Sequence, residues 1–202
     1  MTEVKVKFRI LPILSPLGEM RVKVTEPVRR LLTIEGKVIG LLDANKPYGD
    51  VVMGVIKAYL KSKGVRSFIS EVKPVVTMVT PERIIQKLAK TDAVVLSFAD
   101  CGSCSTALAM DQVRLEKMGI PTVAVVTDYF ASHYARIAAN MGLPDAPIVV
   151  VEHPLGDGAT REMAEEKANK IVKDIVKALT LPMDELKEKY GARRWIELRG
   201  EI

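Results

Sequence analysis

From Lys37 to Leu179 the sequence switches five times between a short apolar run and a longer segment with apolar residues at helical spacing. The runs "KVIGLLDA" (37–44), "RSFISEVK" (66–73), "DAVVLSFA" (92–99), "PTVAVVTD" (121–128) and "APIVVVE" (146–152) read as strands. The segments 49–64, 80–91, 105–119, 130–142 and about 160–179 read as helices, the second opened by Thr80 and Pro81. Strands that each hand over to a helix need crossover connections, and right-handed crossovers put helices on both faces of a parallel sheet. Val- and Ile-rich strands without strict alternation fit burial on both faces. The expected fold is therefore α/β, a three-layer Rossmann-like or flavodoxin-like parallel sheet of about five strands.

The ends fit this scheme poorly. "EVKVKFRI" (3–10) and "MRVKVTE" (20–26) alternate like exposed or edge strands around "LPILSPLG", so residues 1–36 are expected to form a hairpin or arm. Residues 37–180 form the α/β domain, and 181–202 a C-terminal extension with a short helix "MDELKEKYG" and a basic end containing Arg193, Arg194 and Trp195. An oligomer contact, such as a homo-oligomer, or an edge cover suits both ends.

In an open parallel sheet, ligands bind beyond the carboxyl ends of the strands, where the strand order reverses. In the flavodoxin-like order 2-1-3-4-5 the first and third strands are neighbours, so the loops "DANKPYGD" (43–50) and "DCGSC" (100–104) should face each other. Neither a G-x-G-x-x-G fingerprint nor a phosphate loop occurs there, which argues against a nucleotide fold. Although the formal charge is +5, the 30 basic residues are interleaved with 25 acidic ones, so no nucleic-acid or membrane partner is expected. No apolar run is long enough to span a bilayer and no secretory signal opens the chain, so the expected location is cytoplasmic.

The chain has two cysteines, Cys101 and Cys104, spaced Cys-x-x-Cys. With His133 and His153 they could make up a four-ligand zinc set, but the histidines lack finger spacing, and no metal is expected. Packing cysteines at a strand-to-helix junction are a further alternative. A redox pair fits the local pattern better. Cys101 falls just after a strand and Cys104 in the first helical turn, where unpaired amides favour a thiolate, and the spacing lets one thiol resolve a mixed disulfide formed by the other. Gly102 permits close backbone approach, and Ser103 and Ser105 can cap the helix.

"DANKPYGDVVM", "ADCGSCS", "KMGIPTVAVVT" and "VVEHPLGD" occur in an order and spacing that resemble the UGSC family, whose members often carry selenocysteine at the first position of the C-G-S-C motif. The later three motifs are also similar to the carboxy-terminal part of the selenoprotein B subunits of glycine, betaine and proline reductases. The likeness covers roughly residues 37 to 180. It implies a redox-active chalcogen that attacks or reductively cleaves a small substrate, with Cys101 at the selenocysteine position and Cys104 as the resolving thiol. Sulfur here replaces selenium, so the protein must rely more on the helix terminus to ionise the nucleophile.

His153 follows the fifth strand and is a candidate base or acid near the thiol. Pro154, Gly156 and Gly158 form a tight loop before the helix at Thr160, whose N-terminus could bind an anionic group. Asp43, Asn45 and Lys46 follow the first strand. Lys46 could pair with a substrate carboxylate or stabilise the thiolate, and Asn45 could orient a polar group. Thr127, with Asp128 and Tyr129, borders the same crevice, whereas His133 reads as a core or surface residue. The expected function is a thiol-dependent oxidoreductase acting on a small, anionic metabolite. It needs no cofactor beyond a Cys101–Cys104 redox disulfide and is re-reduced by a thiol electron-donor protein. A non-catalytic binding or regulatory module and a metal-dependent lyase or hydrolase are the alternatives.

Overall fold

The computed structural model describes residues 22–197. Strands β1 (Val38–Asp43), β2 (Ser67–Val72), β3 (Ala93–Ala99), β4 (Thr122–Thr127) and β5 (Ile148–Val151) form one sheet in the order β2-β1-β3-β4-β5. Every neighbouring pair is parallel. This is the flavodoxin-like order, and β1 and β3 are adjacent at its switch point.

The alternating segments form α1 (Gly49–Ser62), α2 (Glu82–Leu88), α3 (Gly102–Lys117), α4 (Asp128–Asn140) and α5 (Arg161–Thr180), followed by α6 (Met183–Tyr190) and α7 (Arg193–Glu197). Two apolar cores sandwich the sheet. One joins Ile39, Val95 and Val125 to α1 and α5, and the other joins Leu42, Leu96 and Val126 to α2, α3 and α4. Every residue of β3 and β4 is buried because both faces are covered, whereas the edge strand β2 is half exposed. Left-handed glycines end three helices, Gly64 (φ 86°) after α1, Gly119 (φ 85°) after α3 and Gly142 (φ 93°) after α4.

Residues 22–33 form no strand, so the strand expected over 20–26 is not seen in its described part; they bond instead to the ends of α3, α4 and α5 and the start of β4, through Val28, Thr25, Leu31 and Arg30, and the expected strand 3–10 lies outside the described residues. The arm is anchored by Arg30, whose guanidinium meets Glu116 at 2.8 Å and donates to the Thr122 carbonyl at 2.9 Å. A second buried pair, Lys73 and Asp111 at 2.8 Å, has no exposed side-chain surface on either partner. Asp111 also accepts from the Thr80 amide at 2.8 Å and the Thr80 hydroxyl at 2.6 Å, so it ties both ends of the β2–α2 loop to α3. Among the described residues no helix is long and apolar enough to cross a membrane.

Candidate functional site

The loops after β1, β3 and β5 converge on one patch at the carboxyl edge of the sheet. Its centre is the start of α3. The sequence placed that start at Ser105, but the helix begins three residues earlier, at Gly102, with Cys101 in extended conformation as its N-cap. Ser103 and Ser105 therefore lie inside the first turn and do not cap it. The reason is that the sulfurs satisfy the amides instead: Cys104 N–H donates to Cys101 Sγ at 3.3 Å and Cys101 N–H donates to Cys104 Sγ at 3.1 Å. This is a capping box built from two sulfurs. The sulfurs are in contact, and the Cα atoms are 5.5 Å apart, within the span a disulfide bridges.

The two cysteines differ in access. Cys101 is half-buried and flanked by exposed Gly102 and Ser103, with the Ser103 hydroxyl 3.8 Å from its sulfur. Cys104 is 1% exposed. The Gly102 and Ser103 amides find no acceptor among the described residues, as the geometry of a helix start dictates. Both residues are exposed beside Cys101.

Beneath the pair sits Asp100, a residue the sequence reading did not single out. Its carboxylate accepts from the Gly156 amide at 2.9 Å, meets Lys46 Nζ at 3.0 Å and lies 3.9 Å from Cys104 Sγ. Lys46 also hydrogen-bonds Asp157 across the crevice. Burial works against the Lys46 ammonium, but its bonds to Asp157 and Asp100 outweigh this and raise its pKa. The Lys46 ammonium thus stays charged through neutral pH, and the stability it contributes is lost as pH rises past the ordinary lysine value of 10.5. Lys46 is engaged by these two carboxylates rather than free for a substrate.

Asp43 accepts from the Asn45 amide at 2.7 Å, turning the loop after β1. Burial pushes its carboxyl pKa up; the Asn45 amide pulls it back and Asp50 adds to the rise. A Cβ on Gly156 would lie 2.7 Å from Asp100 Oδ2 and 3.1 Å from the Phe98 ring. Gly156→Ala is accordingly expected to push Asp100 aside and to cost about 1–3 kcal/mol, as read by urea unfolding.

Of the two histidines, His153 Nδ1 lies 3.3 Å from the Thr127 hydroxyl, and its amide donates to Asp128 Oδ1 at 3.0 Å. Its ring clusters with those of Tyr129 and Phe130 at centroid distances of 5.6 and 5.7 Å. His133 is not the isolated residue the sequence suggested. Its Nε2 lies 3.1 Å from the Gly102 carbonyl and 2.9 Å from the Thr106 hydroxyl, bracing the first turn of α3.

Ligand atoms of Asp100, Cys101 and Cys104 lie within 4.8 Å of one another. The amides aimed at both sulfurs favour negative charge on them, while the Lys46 ammonium 3.0 Å from Asp100 and bonded to Asp157 offsets part of the charge of those two carboxylates. A cavity of about 590 Å³ between the arm and the end of α5 is lined by Glu26, Arg29, Leu31, Leu181 and Met183 and contains none of these residues.

A family model described as the UGSC family matches residues 12–181. No curated protein and no solved structure matches the chain.

Proposed function

The chain belongs to the UGSC family, and on that premise we propose that it is a thiol-dependent oxidoreductase that reduces a small, anionic metabolite. The observation that carries this reading is the thiol capping box, which sets an accessible sulfur and a buried one in contact at a helix start. Cys101 is the nucleophile: the amide dipoles of α3 stabilise its thiolate, and Gly102 and Ser103 leave its approach open. Their free amides would bind the substrate's negative group.

In the cycle, the Cys101 thiolate displaces a leaving group from a substrate carbon and forms a carbon–sulfur bond. Cys104 then attacks the Cys101 sulfur. A disulfide forms, the carbon–sulfur electron pair departs with the carbon, and that carbon takes up a proton. The substrate gains two electrons, the two thiols lose them, and an external dithiol resets the pair. His153, Thr127 and Pro154 would form the wall of the crevice opposite Asn45.

Alkylation of the reduced Cys104→Ser protein, in which the Cys101 adduct is not resolved, tests the reading. Cys101 is expected to react with iodoacetamide well below the ordinary thiol value of about 8.5, and several-fold faster still with iodoacetate once each rate is scaled to free cysteine. Mass spectrometry of the labelled peptide reports both rates against pH. A Cys101 that reacts only in the ordinary thiol range would refute the proposal, and a loss of the iodoacetate preference would refute its anionic substrate.

A further inference from the structure

We propose that Asp100 is the proton acceptor for Cys104 in the resolving step, with Lys46 holding the carboxylate in place; the inference rests on the thiol-redox reading above. Cys104 must lose a proton before its sulfur can attack. It is 1% exposed, so water has little access to it. The Asp100 side chain is equally enclosed, also at 1%, and its Oδ1 is the oxygen 3.9 Å from Cys104 Sγ. The Gly156 amide occupies Oδ2, which leaves Oδ1 to face the sulfur.

Charge bookkeeping favours the transfer. A buried thiolate formed alone would add an uncompensated charge, which a low-dielectric site penalises heavily. Passing the proton from sulfur to Asp100 keeps the local charge constant, with one anion before and one after. The Lys46 ammonium, 3.0 Å from Oδ1, remains beside that anion throughout. As the Cys104–Cys101 bond forms, the Cys104 electron pair makes the new S–S bond and the bond from Cys101 to its adduct breaks. The departing group carries away that electron pair, and the proton stays on Asp100 until solvent removes it.

The other groups around the pair can be separated from this role. Lys46 and Asp157 reach it from the loops after β1 and β5, and Asp43 lies at the end of β1. His133 bonds Gly102 and Thr106 from α4, and His153 bonds Thr127, while Asp128 receives the His153 amide. Lys46 loses one of the two carboxylates that raise its pKa when Asp100 is replaced; any titration of the other groups persists.

The probe is 5,5′-dithiobis(2-nitrobenzoate). Cys101 attacks it and releases one coloured thiolate; Cys104 then resolves the mixed disulfide and releases a second. In Asp100→Asn the first release is expected to keep its rate. The second should slow about 100-fold at neutral pH and recover only toward the ordinary thiol range of about 8.5. An Asp100→Asn protein that resolves at the wild-type rate with the wild-type pH profile overturns the proposal.

Carbon-13 NMR of the wild-type carboxyl provides a measurement that needs no variant. Its titration midpoint is expected to move when the disulfide is reduced to the dithiol, and a midpoint indifferent to redox state overturns the proposal as well. If Cys101 takes the label but the wild-type protein never releases the second thiolate, the redox cycle itself fails. The NMR midpoint still decides the coupling of Asp100 to Cys104.

Discussion

Cys101→Ser is expected to abolish turnover of a small anionic electrophile such as chloroacetate to acetate with dithiothreitol as reductant, a loss of about 10³-fold or more. Serine keeps the size and can still accept the Cys104 amide as an N-cap, so the helix should survive. What disappears is a nucleophile that ionises near neutral pH. Cys104→Ser should behave differently. It leaves Cys101 able to attack but unable to be resolved, so a stable carboxymethyl adduct should accumulate at one equivalent, visible by intact mass. Full turnover in either variant would remove the basis for a paired-thiol cycle.

The largest stability effect is expected at Lys73. Its ammonium and the Asp111 carboxylate are fully enclosed 2.8 Å apart. Lys73→Met leaves Asp111 charged and buried, a change that costs about 3–5 kcal/mol, against a total of roughly 5–15 kcal/mol for an ordinary domain. Denaturant unfolding should show the midpoint falling accordingly. The double variant Lys73→Met with Asp111→Leu should recover much of the loss, because no charge is then stranded. Recovery should be incomplete, since the Thr80 amide and hydroxyl also lose their acceptor. A Lys73→Met protein as stable as wild type would show that Arg114, 3.6 Å from Asp111, carries the carboxylate's charge alone.

Much of this architecture was legible from the chain alone because hydrophobic period and turn residues dominate it. The strand "DAVVLSFA" is observed as Ala93–Ala99 and the long helix near Thr160 as Arg161–Thr180, and the order of the five strands follows from the flavodoxin-like alternative. The meeting of the Lys46 loop with the loop carrying Cys101 also followed from that order, and the 3.0 Å contact of Lys46 with Asp100 realises it. What the chain hid depends on side-chain direction. Sulfur is an uncommon cap, so the serines looked like the helix start. Asp100 abuts Cys101, yet nothing in a single aspartate before a cysteine says that it turns under the helix instead of out to water. His133 sits a helix away, and only the packing of α3 on α4 brings it to Gly102.

The two sulfurs that pair with each other are also the atoms that terminate a helix. Whatever occupies either one, an alkyl group, a second sulfur or a proton, changes the acceptor strength offered to the backbone amides of residues 101 and 104. Deuterium uptake at those two positions thus gauges the oxidation level from within the main chain, and the opening turn should loosen and tighten in step with each catalytic round.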